Sequence, residues 1–192
     1  MKILDFKAAE KMMRKGYIFK VVVVGNGAVG KTSLVLRYTQ HKFSENYVMT
    51  IGSNFAIAEV KLPDGQLCKL QIWDLAGQPH FSFVRPPFYK GASAVILVYD
   101  VTNRRSLDEL KDWKDDFIKY LPPETIMYVL ANKSDLKDER VVTIEEGKRV
   151  AENLGAIEFW ETSAKTGENV QTVFNNIAAR LLAMYTQPVR SP

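Results

Sequence analysis

A single cysteine, Cys68, stands among the 192 residues, which excludes a disulfide within the chain and fits a reducing compartment. Long apolar runs are missing as well: none approaches the ~18 residues that would span a bilayer. The residues after Met1 lack the apolar core of a secretory signal. There is no internal repeat and no low-complexity tract, so repeat architectures are set aside. Nor does one sign of charge dominate: Lys and Arg number 26 against 22 Asp and Glu, a net charge of +4. Basic residues are interleaved with acids, as between Glu139 and Gly155, which disfavours a nucleic-acid-binding stripe. With 46% hydrophobic and 25% charged residues, the composition is that of an ordinary globular domain. A chain of this length can bury a core without staples.

What is present is a rhythm of short apolar runs and amphipathic stretches. Phe19–Val24 reads as a buried strand ending at Gly25. A helix-compatible segment follows from Gly30 to about Gln40, with Leu34, Val35 and Tyr38 at helical spacing. Phe55–Leu62 and Leu67–Trp73 alternate and are joined by Pro63-Asp64-Gly65-Gln66, a hairpin turn. Ala94–Tyr99, Thr125–Ala131 and Ile157–Glu161 read as further strands. Ser106 and Glu109 have the spacing of a capping box and predict a helix to about Tyr120. Thr143 and Glu146 repeat that spacing ahead of a helix that stops at Gly155. A last helix is predicted over about Asn169–Met184. The expected fold is α/β: a mostly parallel six-stranded sheet, one antiparallel edge strand, helices on both faces. Residues 17–185 are expected to form that domain, after a basic extension over 1–16 and before a tail over 186–192.

Gly25-Asn-Gly-Ala-Val-Gly30-Lys31-Thr32 matches the phosphate-loop pattern, with a strand before it and a helix after, so the expected fold is of the P-loop nucleotide-hydrolase type. Gly25 and Gly30 let the backbone turn so that successive N–H groups point at phosphate oxygens. The helix start adds a positive dipole end. The candidate phosphate contacts are Gly25, Gly27, Ala28, Val29, Gly30, Lys31, Thr32 and Ser33. Lys31 supplies a point charge, and the Thr32 hydroxyl a ligand for Mg²⁺.

Asn132-Lys133-Ser134-Asp135 closes another strand. The Asp135 carboxylate can accept from N1–H and the 2-amino group of guanine; adenine would leave it unpaired, a discrimination of roughly 10⁴ or more. The Lys133 stem can lie along the base plane, and in Ser163-Ala164-Lys165 the Ala164 N–H can donate to guanine O6. Asp74-Leu-Ala-Gly77 ends the strand before it, where Asp74 can hold Mg²⁺ through water and the Gly77 N–H can reach the γ-phosphate. Gln78 is placed to orient an attacking water, and Thr50 to complete the Mg²⁺ shell. Release of both loops on loss of the γ-phosphate would make a switch.

Taken together, these motifs resemble those of Ras-superfamily small GTPases, most closely the Rab family, from about Tyr17 to Tyr185. Ile51-Gly-Ser-Asn-Phe55, Lys69-Leu-Gln-Ile-Trp-Asp74, Phe88-Tyr-Lys-Gly-Ala92 and Leu97-Val-Tyr-Asp-Val-Thr102 carry the Rab-like part of the resemblance. The resemblance implies GTP and GDP as ligands with Mg²⁺, slow hydrolysis with Gln78 and Lys31 as catalytic residues, and exchange factors, GTPase-activating proteins and effectors as partners. It also implies that Phe43 packs beside the guanine, that Tyr47 covers the phosphates, and that Phe55, Trp73 and Phe88 form the patch that partners read.

Three features depart from the family pattern. Pro79 and His80 follow Gln78, where Rabs usually have Glu first. Pro86-Pro87 should break any long helix in this segment. The tail ends without prenylation cysteines. The 1–16 extension carries five basic residues and near-helical apolar spacing, so weak contact with an anionic membrane is one reading of it. The expected location is the cytoplasm, with the cytosolic face of a membrane as a peripheral site. A scaffold that holds GTP or GDP with negligible hydrolysis is the alternative function, resting on Pro79 beside Gln78.

Overall fold

The computed structural model describes residues 16–44, 49–62 and 65–186. The expectations for Tyr47, for Pro63 and Asp64 of the hairpin turn, and for most of the terminal extension and tail lie outside the described residues.

Strands β1 (Tyr17–Val24), β2 (Ser53–Lys61), β3 (Leu67–Leu75), β4 (Ala94–Asp100), β5 (Ile126–Asn132) and β6 (Glu158–Thr162) form one six-stranded sheet. Its order is β2-β3-β1-β4-β5-β6. Only the β2–β3 pair is antiparallel; every other pairing is parallel. The Val-rich run of β1 is therefore central, and a strand buried on both faces needs apolar residues at every position. Phe19, Val21 and Val23 point into one core and Val22 and Val24 into the other, following the period of two.

Helices α1 (Lys31–Gln40) and α6 (Val170–Thr186) cover the first face. Tyr38 and Phe174 stack there with centroids 4.2 Å apart. The other face is covered by α2 (Pro86–Tyr89), α3 (Arg104–Asp108), α4 (Leu110–Phe117) and α5 (Ile144–Asn153). This cover leaves the outer face of β2 and β3 bare, where Phe55 and Ile57 remain about half exposed.

Two capping boxes were expected and one exists. Thr143 accepts from the Glu146 N–H while the Glu146 carboxylate accepts from the Thr143 N–H. Ser106 does not cap a helix. The helix starts two residues earlier, at Arg104 after an extended Asn103. The fully buried Ser106 hydroxyl accepts the Asp100 N–H at 3.0 Å and donates to the Asn103 carbonyl at 2.7 Å. It stitches the helix to the end of β4 instead. The predicted run to Tyr120 is divided at Glu109 and closes with a 3₁₀ turn over Ile118–Tyr120. Pro86 and Pro87 act as expected: a 3₁₀ turn over Pro79–Val84 is followed only by the four-residue α2.

Candidate functional site

The carboxyl ends of the parallel strands gather the motifs at one edge of the sheet, the usual place for a ligand in an open α/β fold. β1 runs into the phosphate loop, β3 into Asp74–Gly77, β5 into Asn132–Asp135 and β6 into Ser163–Lys165. Between them lies a cleft of about 1220 Å³. Its lining includes Gly27, Ala28, Gly30, Lys31, Thr32, Ser33, Phe43, Thr50, Gly77, Gln78, Asn132, Lys133, Asp135, Ala164 and Lys165. Gly25, Val29 and Ser163, also named from sequence, are buried and do not line it.

Close backbone approach explains the glycines. A Cβ on Gly25 would sit 2.1 Å from the Val98 carbonyl oxygen, and one on Gly30 would sit 2.3 Å from Asn132 Nδ2. Ala28 takes the left-handed conformation at φ 64°, which turns the loop's N–H groups inward as an anion cradle. Lys31 is 6% exposed, and its ammonium donates to the carbonyls of Gly25 and Asn26, each at 2.7 Å. Burial pulls its pKa down to about 8; Asp74 works against that shift and the Arg85 guanidinium adds to it.

Thr32, Thr50 and Asp74 converge. The Thr32 hydroxyl lies 2.5 Å from Asp74 Oδ2 and 2.8 Å from the Thr50 hydroxyl. Asp74 is fully buried, its carboxyl is pushed upward by desolvation, and its Oδ1 has no hydrogen-bond partner. A buried carboxylate with spare acceptor capacity beside two hydroxyls fits a hard cation. Among the described residues no cluster of three or more acidic, His or Cys side chains forms a cage. That donor set suits Mg²⁺, which keeps its waters and takes phosphate oxygens rather than an all-protein shell.

The base-reading side is tied to the phosphate side by Asn132. Its Nδ2 donates to the Val29 carbonyl at 2.8 Å, and its Oδ1 lies 3.3 Å from both the Ala164 N–H and the Thr162 hydroxyl. Asp135 Oδ1 accepts from the Ser163 hydroxyl at 2.5 Å, which fixes the carboxylate and leaves further lone pairs. Lys133, itself at φ 67°, lines the cleft and is pinned by an ion pair to Asp100 at 2.5 Å.

Sequence reasoning missed Asp100 and Arg37. Arg37 donates to the carbonyls of Ala164 (2.7 Å) and Lys165 (2.5 Å), and its guanidinium lies 5.9 Å from the Phe43 ring centroid. A basic residue near a helix C-terminus is too common to have signalled this. Gln78 is extended (ψ 142°), with Nε2 3.4 Å from where a Cβ of Gly27 would stand. The side chain thus lies over the phosphate loop. His80 is exposed. Outside the cleft, Phe55, Trp73 and Phe88 form a row, with ring centroids 4.8 Å and 5.4 Å apart.

A central strand, a glycine-rich anion loop, a buried lysine and a helix start define a P-loop nucleotide hydrolase. A sequence model of the Ras family matches residues 20–183. The chain is 42% identical over 183 residues to Ras-related protein Rab-1 of Theileria annulata, covering 94% of this chain and 82% of that one. It is 40% identical to Ras-related protein RIC1 of Oryza sativa subsp. japonica (90% and 85% covered) and 39% identical to human Ras-related protein Rab-8B (86% and 79%). The chain therefore belongs to the Ras family, as a Rab-like small GTPase. It is a GTP-binding molecular switch and a GTP hydrolase, with guanine nucleotide as ligand and with regulators and effectors in general as partners. Nothing favours the non-hydrolysing scaffold. No described helix is long and apolar enough to cross a membrane.

Proposed function

We propose that this switch holds GTP or GDP with Mg²⁺ in the cleft and hydrolyses GTP slowly by in-line attack of water on the γ-phosphate. The observation that carries the reading is that one cleft is lined at once by Lys31, Thr32 and Gln78 and by Asp135 and Ala164. Lys31 and the loop N–H groups neutralise the β and γ oxygens, and Gln78 orients the water. Thr32 and Thr50 would hold Mg²⁺ directly and Asp74 through water; when bound, the ion neutralises charge between the β and γ oxygens. Asp135 accepts from the guanine N1–H and 2-amino group, and Phe43 flanks the base. The Gly77 N–H senses the γ-phosphate, and the row Phe55, Trp73 and Phe88 receives effectors. Exchange factors and GTPase-activating proteins act on the same loops. Residues 17–185 are the working domain, and the working place is the cytosol.

The test is the nucleotide extracted from purified protein, followed by single-turnover hydrolysis of loaded GTP. Guanine nucleotide with slow release of phosphate is expected. Adenine nucleotide, or GTP that stays intact in the presence of Mg²⁺, would sink the reading.

A further inference from the structure

Arg85 is 6% exposed, and it is poorly matched by acids for a buried guanidinium. Its one ion pair among the described residues, to Asp116, is long at 3.6 Å, and that carboxylate already accepts from the Tyr89 hydroxyl at 2.7 Å. Its Nε is buried without a hydrogen-bond partner. Burying a charge is costly unless its surroundings compensate, so the contacts it does make are informative. Nη2 donates to the backbone carbonyl of Gln78 at 2.7 Å. The guanidinium lies 4.0 Å from the centre of the Trp113 ring, well inside cation–π range.

Trp113 then passes the connection on. Its Nε1–H donates to Asn26 Oδ1 at 2.7 Å, and Asn26 Nδ2 donates to Glu109 at 2.7 Å. Asn26 is the second residue of the phosphate loop, and its own carbonyl holds the Lys31 ammonium at 2.7 Å. Gln78 meets the same loop from the other side, over Gly27. The path Gln78–Arg85–Trp113–Asn26–Gly27–Gln78 is thus a closed ring, with helix α4 as its rigid member.

We propose that Arg85 is a positioning residue for GTP hydrolysis: clamped on Trp113, it fixes the Gln78 backbone against the phosphate loop so that the Gln78 side chain is held over the phosphate-binding residues. The proposal rests on the reading of Gln78 as the residue that orients water. Pro86 and Pro87 stop the segment from running on as a continuous helix, and the Gln78 carbonyl accepts the Phe81 N–H at 3.1 Å as well as the Arg85 guanidinium. Among the described residues Arg85 makes no hydrogen bond to a phosphate- or base-contacting side chain and reaches Lys31 through its charge alone, so its larger effect is on rate and its smaller one on affinity.

The experiment is a double-mutant cycle read by single-turnover GTP hydrolysis of the full chain, with GDP affinity measured alongside. Arg85→Ala is expected to slow hydrolysis by about tenfold, the scale of a modest misplacement of a reacting group, with GDP affinity within about twofold. In a Gln78→Leu background Arg85→Ala should cost nothing further. If Arg85→Ala does not fold, Trp113→Phe, which keeps the apolar ring but loses the donor to Asn26, should slow hydrolysis by a few fold, and Arg85→Lys should retain part of the parental rate. Three results would overturn the proposal: parental hydrolysis in every variant that folds, an equal loss in the Gln78→Leu background, or a loss of GDP affinity in step with rate. If Gln78→Leu alone leaves the rate unchanged, the reading of Gln78 fails first and takes this proposal with it; Gln78→Leu slow with Arg85→Ala unaffected removes Arg85 alone.

Discussion

Adding one methyl group at Gly77 should slow hydrolysis about a hundredfold while leaving GDP binding nearly intact. In Gly77→Ala the new Cβ would stand 2.4 Å from the Asn26 carbonyl carbon and the Gly27 nitrogen, and 2.5 Å from the Asn26 oxygen. Ordinary carbon contacts begin at 3.4 Å, so the two backbones must part by 3.4 − 2.4 = 1.0 Å. No flexible side chain can give way, because every clashing atom is main chain. The phosphate loop is anchored by Lys31 and Asn132, so the loop carrying Gly77 and Gln78 is the one that yields. A misplacement of about 1 Å at a positioning group costs on the order of 10²-fold in rate. The strain should also lower stability by about 1–3 kcal/mol, as for other overpacked sites. Loaded GTP followed by single-turnover phosphate release gives the rate, and a fluorescent-GDP titration gives the affinity. Parental hydrolysis would refute the reasoning. Equal losses in rate and GDP affinity would show that the phosphate loop yields instead.

Asp135→Asn should weaken GTP binding by roughly 3–5 kcal/mol and favour xanthine nucleotides, because two charge-assisted bonds are lost; unchanged GDP affinity would remove Asp135 from the base pocket. Thr32→Asn should weaken GTP roughly tenfold more than GDP, since its hydroxyl sits with Asp74 and Thr50 where a cation bridging the β and γ oxygens would lie; equal losses would assign Thr32 to loop structure. With its pKa lowered to about 8, Lys31 is charged at pH 7 but largely neutral at pH 9 when no phosphate is near. Phosphate restores the charge, so nucleotide binding should take up close to a proton at pH 9 and almost none at pH 7; calorimetry in buffers of different ionisation enthalpy would show no uptake at pH 9 if this is wrong. Pro79→Glu should speed hydrolysis several-fold by freeing Gln78 from its extended conformation; an unchanged rate would make the proline merely the start of a 3₁₀ turn.

Motifs that work through backbone geometry were legible in the sequence. Gly25, Gly30 and Gly77 are glycines because main chain or Asn132 stands where their side chains would be, and any side chain there forces its neighbours apart. Strands β4 and β5 were equally plain, since burial on both faces leaves seven buried residues in a row. The errors came where two physical roles share one spacing. Ser106 and Glu109 have capping-box spacing, yet the serine hydroxyl serves the end of β4 and Glu109 pairs with Asn26 and Arg105. Arg37, Arg85 and Asp100 act through partners distant in sequence, Ala164, Trp113 and Lys133, and no local pattern encodes a pairing set by the fold.

Asn132 has a consequence for how the chain is made. Its side chain joins Val29, near the start of the domain, to Thr162 and Ala164, near its end. A growing polypeptide that has left the ribosome only as far as α5 owns a phosphate loop and Asp135 but lacks the Ser163–Lys165 side of the base wall. Helix α6 is also still missing, and with it the cover over Phe19, Tyr38 and Leu70. Ligand capture and closure of that core therefore fall together at the last stage of synthesis. A ligand that binds only the finished domain stabilises only the finished domain, so prematurely ended chains face proteases without the protection that complete ones acquire.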